Sequence, residues 1–163
     1  FVRPDGSVPL IPDRAGLRVD PAAAARANAA PEGATPVREV DPRTDLRLLF
    51  EKQLSPEKVA SFSDEAGNLI HSDPDVARQF GFRAPIAAGL MAAHFVLEAL
   101  ARQGGPPAEL DMEMRFLRPM LWDERLGIFG RDAPAGTLED VCVVNEAGKA
   151  TGHARVDHVR FER

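Results

Sequence analysis

Residues 86–101 read Ile86-Ala87-Ala88-Gly89-Leu90-Met91-Ala92-Ala93-His94-Phe95-Val96-Leu97-Glu98-Ala99-Leu100-Ala101. Ala and Leu, the best helix formers among apolar residues, dominate the run. Ile86, Leu90, Ala93, Leu97 and Leu100 recur at helical spacing and share one broad face. From residue 84 onward the run is long enough to cross a bilayer, but Gly89, His94, Glu98 and the many alanines interrupt it. A buried core helix is the better reading. The next segment has a different period. Leu110, Met112, Met114 and Phe116 alternate with Asp111, Glu113 and Arg115, the pattern of a half-buried strand. Further strands are expected over 125–131, 138–145 and from Lys149 to about Phe161, with Glu146-Ala147-Gly148 as a turn. One long helix followed by strands on short turns predicts an α+β fold, an antiparallel sheet curled around that helix.

Working back toward the start, Leu46 to Leu54 reads as a strand. Ser55-Pro56-Glu57 then opens a helix: Ser caps, Pro fits the first turn, and Glu suits the positive end. That helix is expected to run to about Gly67. The polar loop Asn68 to Ser72 follows, and Asp73-Pro74-Asp75 opens a second short helix that Gly81 stops. Asp20 and Pro21 cap an Ala-rich helix to about Ala30, too short to stand alone. Asp5-Gly6 signals a turn, and Pro31 to Pro42 reads as a linker. The expected division is an arm and linker over 1–44 and one domain over 45–163.

The whole chain of 163 residues is long enough to bury a real core, and its 44% hydrophobic and 28% charged content is globular. A net charge of −5 with no basic run argues against nucleic acid as a partner. Arginine outnumbers lysine 17 to 3, so phosphate recognition by a few arginines remains compatible with the acidic balance. The single cysteine, Cys142, sits among alternating apolar residues, which predicts a buried strand position rather than a nucleophile. One cysteine gives no internal disulfide and no cysteine metal cluster, and no metal or other resident cofactor is expected. Tyrosine is absent, so no phenol takes part in acid–base work. The start does not read as a signal peptide and no membrane partner is expected, which makes a cytoplasmic protein the default. The chain opens on Phe1, and a piece of a longer polypeptide is the expectation.

The chemistry-bearing residues gather between the two capped helices and the long one. His71 by itself reads most simply as a hydrogen-bonded loop histidine. Asn68 alone is a turn residue, and Gly89 alone permits close helix packing. Together, a His loop followed by Pro85-Ile86-x-x-Gly89-Leu90 at a helix start would converge a proton-transfer group and free backbone N–H donors. Such donors suit the oxygen of a thioester.

Here the chain resembles the MaoC-like hot-dog family, which includes the (R)-specific enoyl-CoA hydratases. The family pattern runs roughly Ser-Gly-Asp-x-Asn-Pro-Ile-His-x-Asp, then Gly-Phe, then Pro-Ile-x-His-Gly-Leu. This chain has Ala66-Gly67-Asn68-Leu69-Ile70-His71-Ser72-Asp73, then Gly81-Phe82, then Pro85-Ile86-Ala87-Ala88-Gly89-Leu90. Met114-Arg115-Phe116-Leu117-Arg118-Pro119 looks like the strand that follows the family's central helix. The resemblance spans about 45–163. It implies a hot-dog fold and transfer of water at the 2,3 position of an acyl thioester, 2-enoyl-CoA to 3-hydroxyacyl-CoA or the reverse. His71 would be the proton shuttle, Gly89 the oxyanion donor, and Asn68 a catalytic partner. Ile86, Arg83, Arg115 and Arg118 are the substrate-binding candidates, the arginines for CoA phosphates. CoA or an acyl carrier would enter as part of the substrate.

The departures are specific. In an ungapped match to His71 the family's catalytic Asp falls on Ala66; aligned on Gly67, it falls on Asn68. Neither alignment supplies the acid. The motif proline is Leu69, and the histidine before the helix glycine is Ala88. Asp64 and Glu65 are nearby acids that read as solvated residues at a helix end. A degenerate, non-catalytic hot-dog half that shapes an acyl site or dimer is therefore the alternative. A hot-dog thioesterase, with Glu98 as its acid, ranks last because Glu98 lies late on the helix. The resemblance also implies pairing with a second hot-dog, either a copy or another half of the same polypeptide. Residues 1–12 resemble the closing strand and Pro-rich tail of hot-dog thioesterases, as though a preceding hot-dog ended there.

Overall fold

The computed structural model describes residues 45–63 and 68–162. The arm and linker over 1–44, with the turn, helix and tail read there, lie outside the described residues. So do Asp64, Glu65, Ala66 and Gly67.

Strand β1 spans Arg47–Gln53, helix α1 Pro56–Phe62, and helix α2 Pro74–Gln79. Both short helices begin as their sequences dictate. The Ser55 hydroxyl accepts from the Lys58 N–H, and the Asp73 carboxylate accepts from the Asp75 and Val76 N–H groups. Helix α1 stops at Phe62, with Ser63 as its C-cap, rather than continuing toward Gly67. The loop after Asn68 holds one 3-10 turn, Leu69–His71, which the polar sequence did not announce. Gly81 takes φ 84° after α2, a left-handed conformation that glycine adopts without strain.

The long helix, α3, spans Gly89–Gly104. It begins three residues later than the apolar run, because Ile86 is held in a bridge with Leu121. Then come β2 (Pro107–Phe116), β3 (Arg125–Asp132), β4 (Leu138–Asn145) and β5 (Ala150–Phe161). The five strands form one antiparallel sheet in the order β1-β3-β4-β5-β2, so β1 and β2 are its edges. The sheet wraps α3, the hot-dog arrangement.

The face of α3 against the sheet is not the one its leucines outline. Met91, Ala92, Val96, Ala99 and Leu100 are buried, whereas Leu90 is 66% exposed and Ala93 and Leu97 are half-buried. Two apolar stripes run along this helix, and the one with more small residues meets the strands because it allows close approach. A Cβ on Gly152 of β5 would lie 3.4 Å from that of Ala92. Leu126, Ile128, Val141, Val143, Ala154 and Val156 complete the core from the sheet. Each large aliphatic side chain buried there contributes roughly 1.5–3 kcal/mol. On the outer face, Cys142, Val144 and Ala150 form a second, small cluster with Phe129 and Leu46. Burial, helped by the Asp140 charge, pushes the Cys142 thiol up to about 11, so it stays protonated and is no nucleophile.

No helix among the described residues is long and apolar enough to cross a membrane.

Candidate active site

The segment Pro85–Ala88 is clamped from three directions, and this brings the candidate residues together. From one side, Ile86 bridges Leu121, the Ala87 N–H donates to the Met120 carbonyl (2.8 Å), and the Trp122 N–H donates to Pro85 (3.0 Å). From a second side, the Ala88 N–H donates to the Ser63 hydroxyl at 3.2 Å. From the third comes the 3-10 turn. The Ile86 N–H donates to the Ile70 carbonyl (3.2 Å), and the His71 Nδ1–H donates to the Ile86 carbonyl at 2.6 Å.

That last bond decides the state of His71. A carbonyl can only accept, so Nδ1 must carry the proton and Nε2 of the neutral ring is the base. The Asn68 amide Nδ2 lies 3.1 Å from Nε2 and donates to it. The ring is half-buried. His71 and Asn68 thus form a pair, at the place where the resemblance calls for an acid. Neither partner of the imidazole is a carboxylate.

Three residues beyond Ile86 the helix starts. Ala88 is its cap, and the Met91 N–H turns back to the Ala88 carbonyl at 2.9 Å. The first-turn N–H groups of a helix have no intrahelical partner and carry a partial positive charge. Here those of Gly89 and Leu90 are in that position. They border a cleft of about 310 Å³ lined by Ile86, Gly89, Ala92, Phe116 and Arg118, among others.

The arginines divide. Arg118 reaches this cleft, and its Nη1 donates to the Ala150 carbonyl at 2.9 Å. Arg83 instead pairs with Asp123 at 2.8 Å and approaches Glu124 at 4.0 Å. The hydrogen bond to Asp123 raises the Arg83 pKa, and the same bond lowers that of Asp123. Arg115 sits on the solvent side of β2, bonded to Glu113 at 2.8 Å. Ser63 and Phe116 were not singled out as site residues from sequence. Ser63 follows a helix as any C-cap might, and Phe116 falls in the apolar phase of β2, yet it stands 55% exposed at the end of that strand.

Glu98 has a different task. Its carboxylate takes Lys52 at 2.6 Å and Arg102 at 2.7 Å. Partial burial pushes its pKa up, but the hydrogen bonds from these two cations outweigh that and hold it below the ordinary value. Its pairing therefore stabilises the fold above the unfolded carboxyl's titration and is lost as the pH falls through it. Glu98→Gln is expected to lower stability by less than about 1 kcal/mol at neutral pH. The difference should vanish in acid, as read by denaturant melts at the two pH values. A carboxylate so engaged gives the thioesterase reading no free acid.

The MaoC like domain family matches residues 33–130, well over half of the chain. The protein belongs to the MaoC-like hot-dog family. None of the curated proteins matches it. Among solved structures it is similar to R-hydratase PhaJ1 from Pseudomonas aeruginosa, with 22% identity over 70% of this chain and 79% of that one, and a TM-score of 0.57. It is also similar to HtdX from Mycobacterium tuberculosis, with 24% identity, 77% of this chain covered and a TM-score of 0.60. There the match spans 48% of the HtdX chain, about half its length. A third is the ChsH1-ChsH2 complex of the same organism, with 18% identity over 69% of this chain and 92% of that one, and a TM-score of 0.56. These likenesses concern the fold.

Proposed function

We propose that this chain is a hydro-lyase that adds water to, or removes it from, the 2,3 position of an acyl thioester. The observation that carries the reading is the Nδ1–H bond from His71 to the Ile86 carbonyl, which leaves Nε2 as a base beside the start of α3. In hydration, Nε2 takes a proton from water as its oxygen bonds to C3 of the 2-enoyl thioester. The π electrons move through C2 toward the thioester oxygen, where the Gly89 N–H holds the developing charge. The proton on Nε2 then goes to C2 as the carbonyl re-forms. Asn68 orients the imidazole or the water. This scheme uses no resident metal or organic cofactor, and CoA or an acyl carrier belongs to the substrate. Arg118, on the cleft, is the best placed of the arginines for its phosphates, with Arg83 and Arg115 further out.

One observation favours the alternative. Among the described residues His71 has no carboxylate partner, which fits a half that binds an acyl thioester or completes a dimer without catalysing. The test is the loss of enoyl absorbance when crotonyl-CoA, medium-chain and branched enoyl-CoAs are mixed with the purified protein. Turnover supports the hydro-lyase. No turnover of any leaves the binding half.

Pairing with a second hot-dog, a copy or another half, is part of the proposal. The sheet ends on two open edges, β1 and β2, and exposed Leu90 and Leu117 stand near the end of β2. Sedimentation should give a dimer or a chain carrying a second hot-dog. An isolated single hot-dog would count against it.

Gly89 offers a separate check. A Cβ there would lie 3.2 Å from the Phe116 ring, so the ring must give slightly, and being half in solvent it can. Alanine is the better helix former by up to about 1 kcal/mol. Gly89→Ala is therefore expected to keep or slightly raise the melting temperature. It should also lower kcat/KM, because methyl and displaced ring crowd the carbonyl's position. Unchanged kcat/KM would remove Gly89 from the site.

A further inference from the structure

We propose that Phe116 sets the length of the acyl group this site accepts, favouring short chains; the inference rests on the acyl-thioester reading above and deepens it. The cleft beside the start of α3 has apolar walls, with Ala92 1% and Met120 3% exposed, and about 310 Å³ of space. That is the small end of the range for ligand pockets, roughly 300–1,000 Å³. A thioester whose carbonyl meets the Gly89 N–H has its alkyl end in this apolar space.

Phe116 closes that space at the Gly89 end. Its Cδ1 and Cε1 lie 3.2 and 3.3 Å from where a Gly89 Cβ would stand, so the ring is laid directly over the glycine. Its other side is open, and 55% of the residue is exposed. The neighbouring side of the slot between helix and sheet is filled by Met114, whose methyl lies 2.8 Å from the position of a Gly152 Cβ. A methionine chain is flexible and can yield. The phenyl ring is rigid apart from two torsions, so it is the wall that a longer chain meets first. A pocket discriminates by about 10–200-fold per methylene it cannot house.

The experiment compares kcat/KM for crotonyl-CoA, 2-octenoyl-CoA and 2-dodecenoyl-CoA in the wild type, Phe116→Ala and Phe116→Trp. Calorimetric binding of the same three thioesters runs alongside. The wild type is expected to prefer the four-carbon chain. Phe116→Ala should raise the octenoyl-to-crotonyl ratio by about tenfold or more, and Phe116→Trp should lower it. An exposed ring contributes little to the core, so both variants should fold, and circular dichroism checks this. Turnover by the wild type with a ratio that neither substitution moves overturns the role of Phe116 and leaves the hydro-lyase standing. A wild type that neither hydrates nor binds any of the three overturns both. Binding without turnover, with the chain-length preference of the affinities shifted by Phe116→Ala, supports the inference in a non-catalytic half.

Discussion

His71→Ala is expected to lower enoyl-CoA hydration by about 10²–10⁴-fold, the usual worth of one positioned acid–base group. That is about 3–5 kcal/mol of barrier. The imidazole is the only base held against the segment that starts α3, and no tyrosine exists in the chain to replace it. The fold should survive. Removing the ring frees the Ile86 carbonyl, a loss of about 1 kcal/mol. The Ile86 N–H bond to Ile70 and the pairing of Pro85–Ala87 with Met120–Trp122 remain. Steady-state kinetics with a thermal melt on the same sample checks both halves of the expectation. Unaltered hydration by His71→Ala would show that the chemistry, if present, lies elsewhere.

The second large effect is a gain. Asn68→Asp should raise crotonyl-CoA hydration by about 10²-fold, the low end for a positioned acid or base. The amide nitrogen now sits 3.1 Å from His71 Nε2 and donates into the lone pair that must receive the water proton. A carboxylate at that place cannot donate. It accepts instead, from a water held between it and the ring or from the protonated imidazole, so two groups share the proton movements. A neighbouring negative charge also favours the charged ring, so the His71 pKa should rise. The acidic limb of the pH–rate profile, set by protonation of the base, should move to higher pH. A fall in activity across the whole profile would mean that the Asn68 amide itself positions the water. Ala66, where the ungapped alignment puts the acid, lies outside the described residues, and the contact with His71 makes Asn68 the substitution of choice.

Much of the architecture is local and was legible as such. The Ser55 and Asp73 caps act within three residues, so side-chain chemistry alone starts both short helices. The alternation from Leu110 to Met114 marks β2 because a pleated strand sends successive side chains to opposite faces. The buried position of Cys142 follows from the same alternation. The spacing of His71 and Gly89, together with the family resemblance, located the site. Three matters needed the tertiary structure. Two apolar stripes wind around α3, and periodicity cannot say which one meets the sheet; the closeness of Ala92 to Gly152 decides it. The helix starts at Gly89 because Ile86 is engaged by Leu121 and by His71, residues distant in the chain. The proton on Nδ1, the donation by Asn68 and the lid that Phe116 lays over Gly89 arise the same way. Each is a contact between segments that share no local sequence signal, so only the folded chain, which brings them within hydrogen-bond or van der Waals reach, determines them.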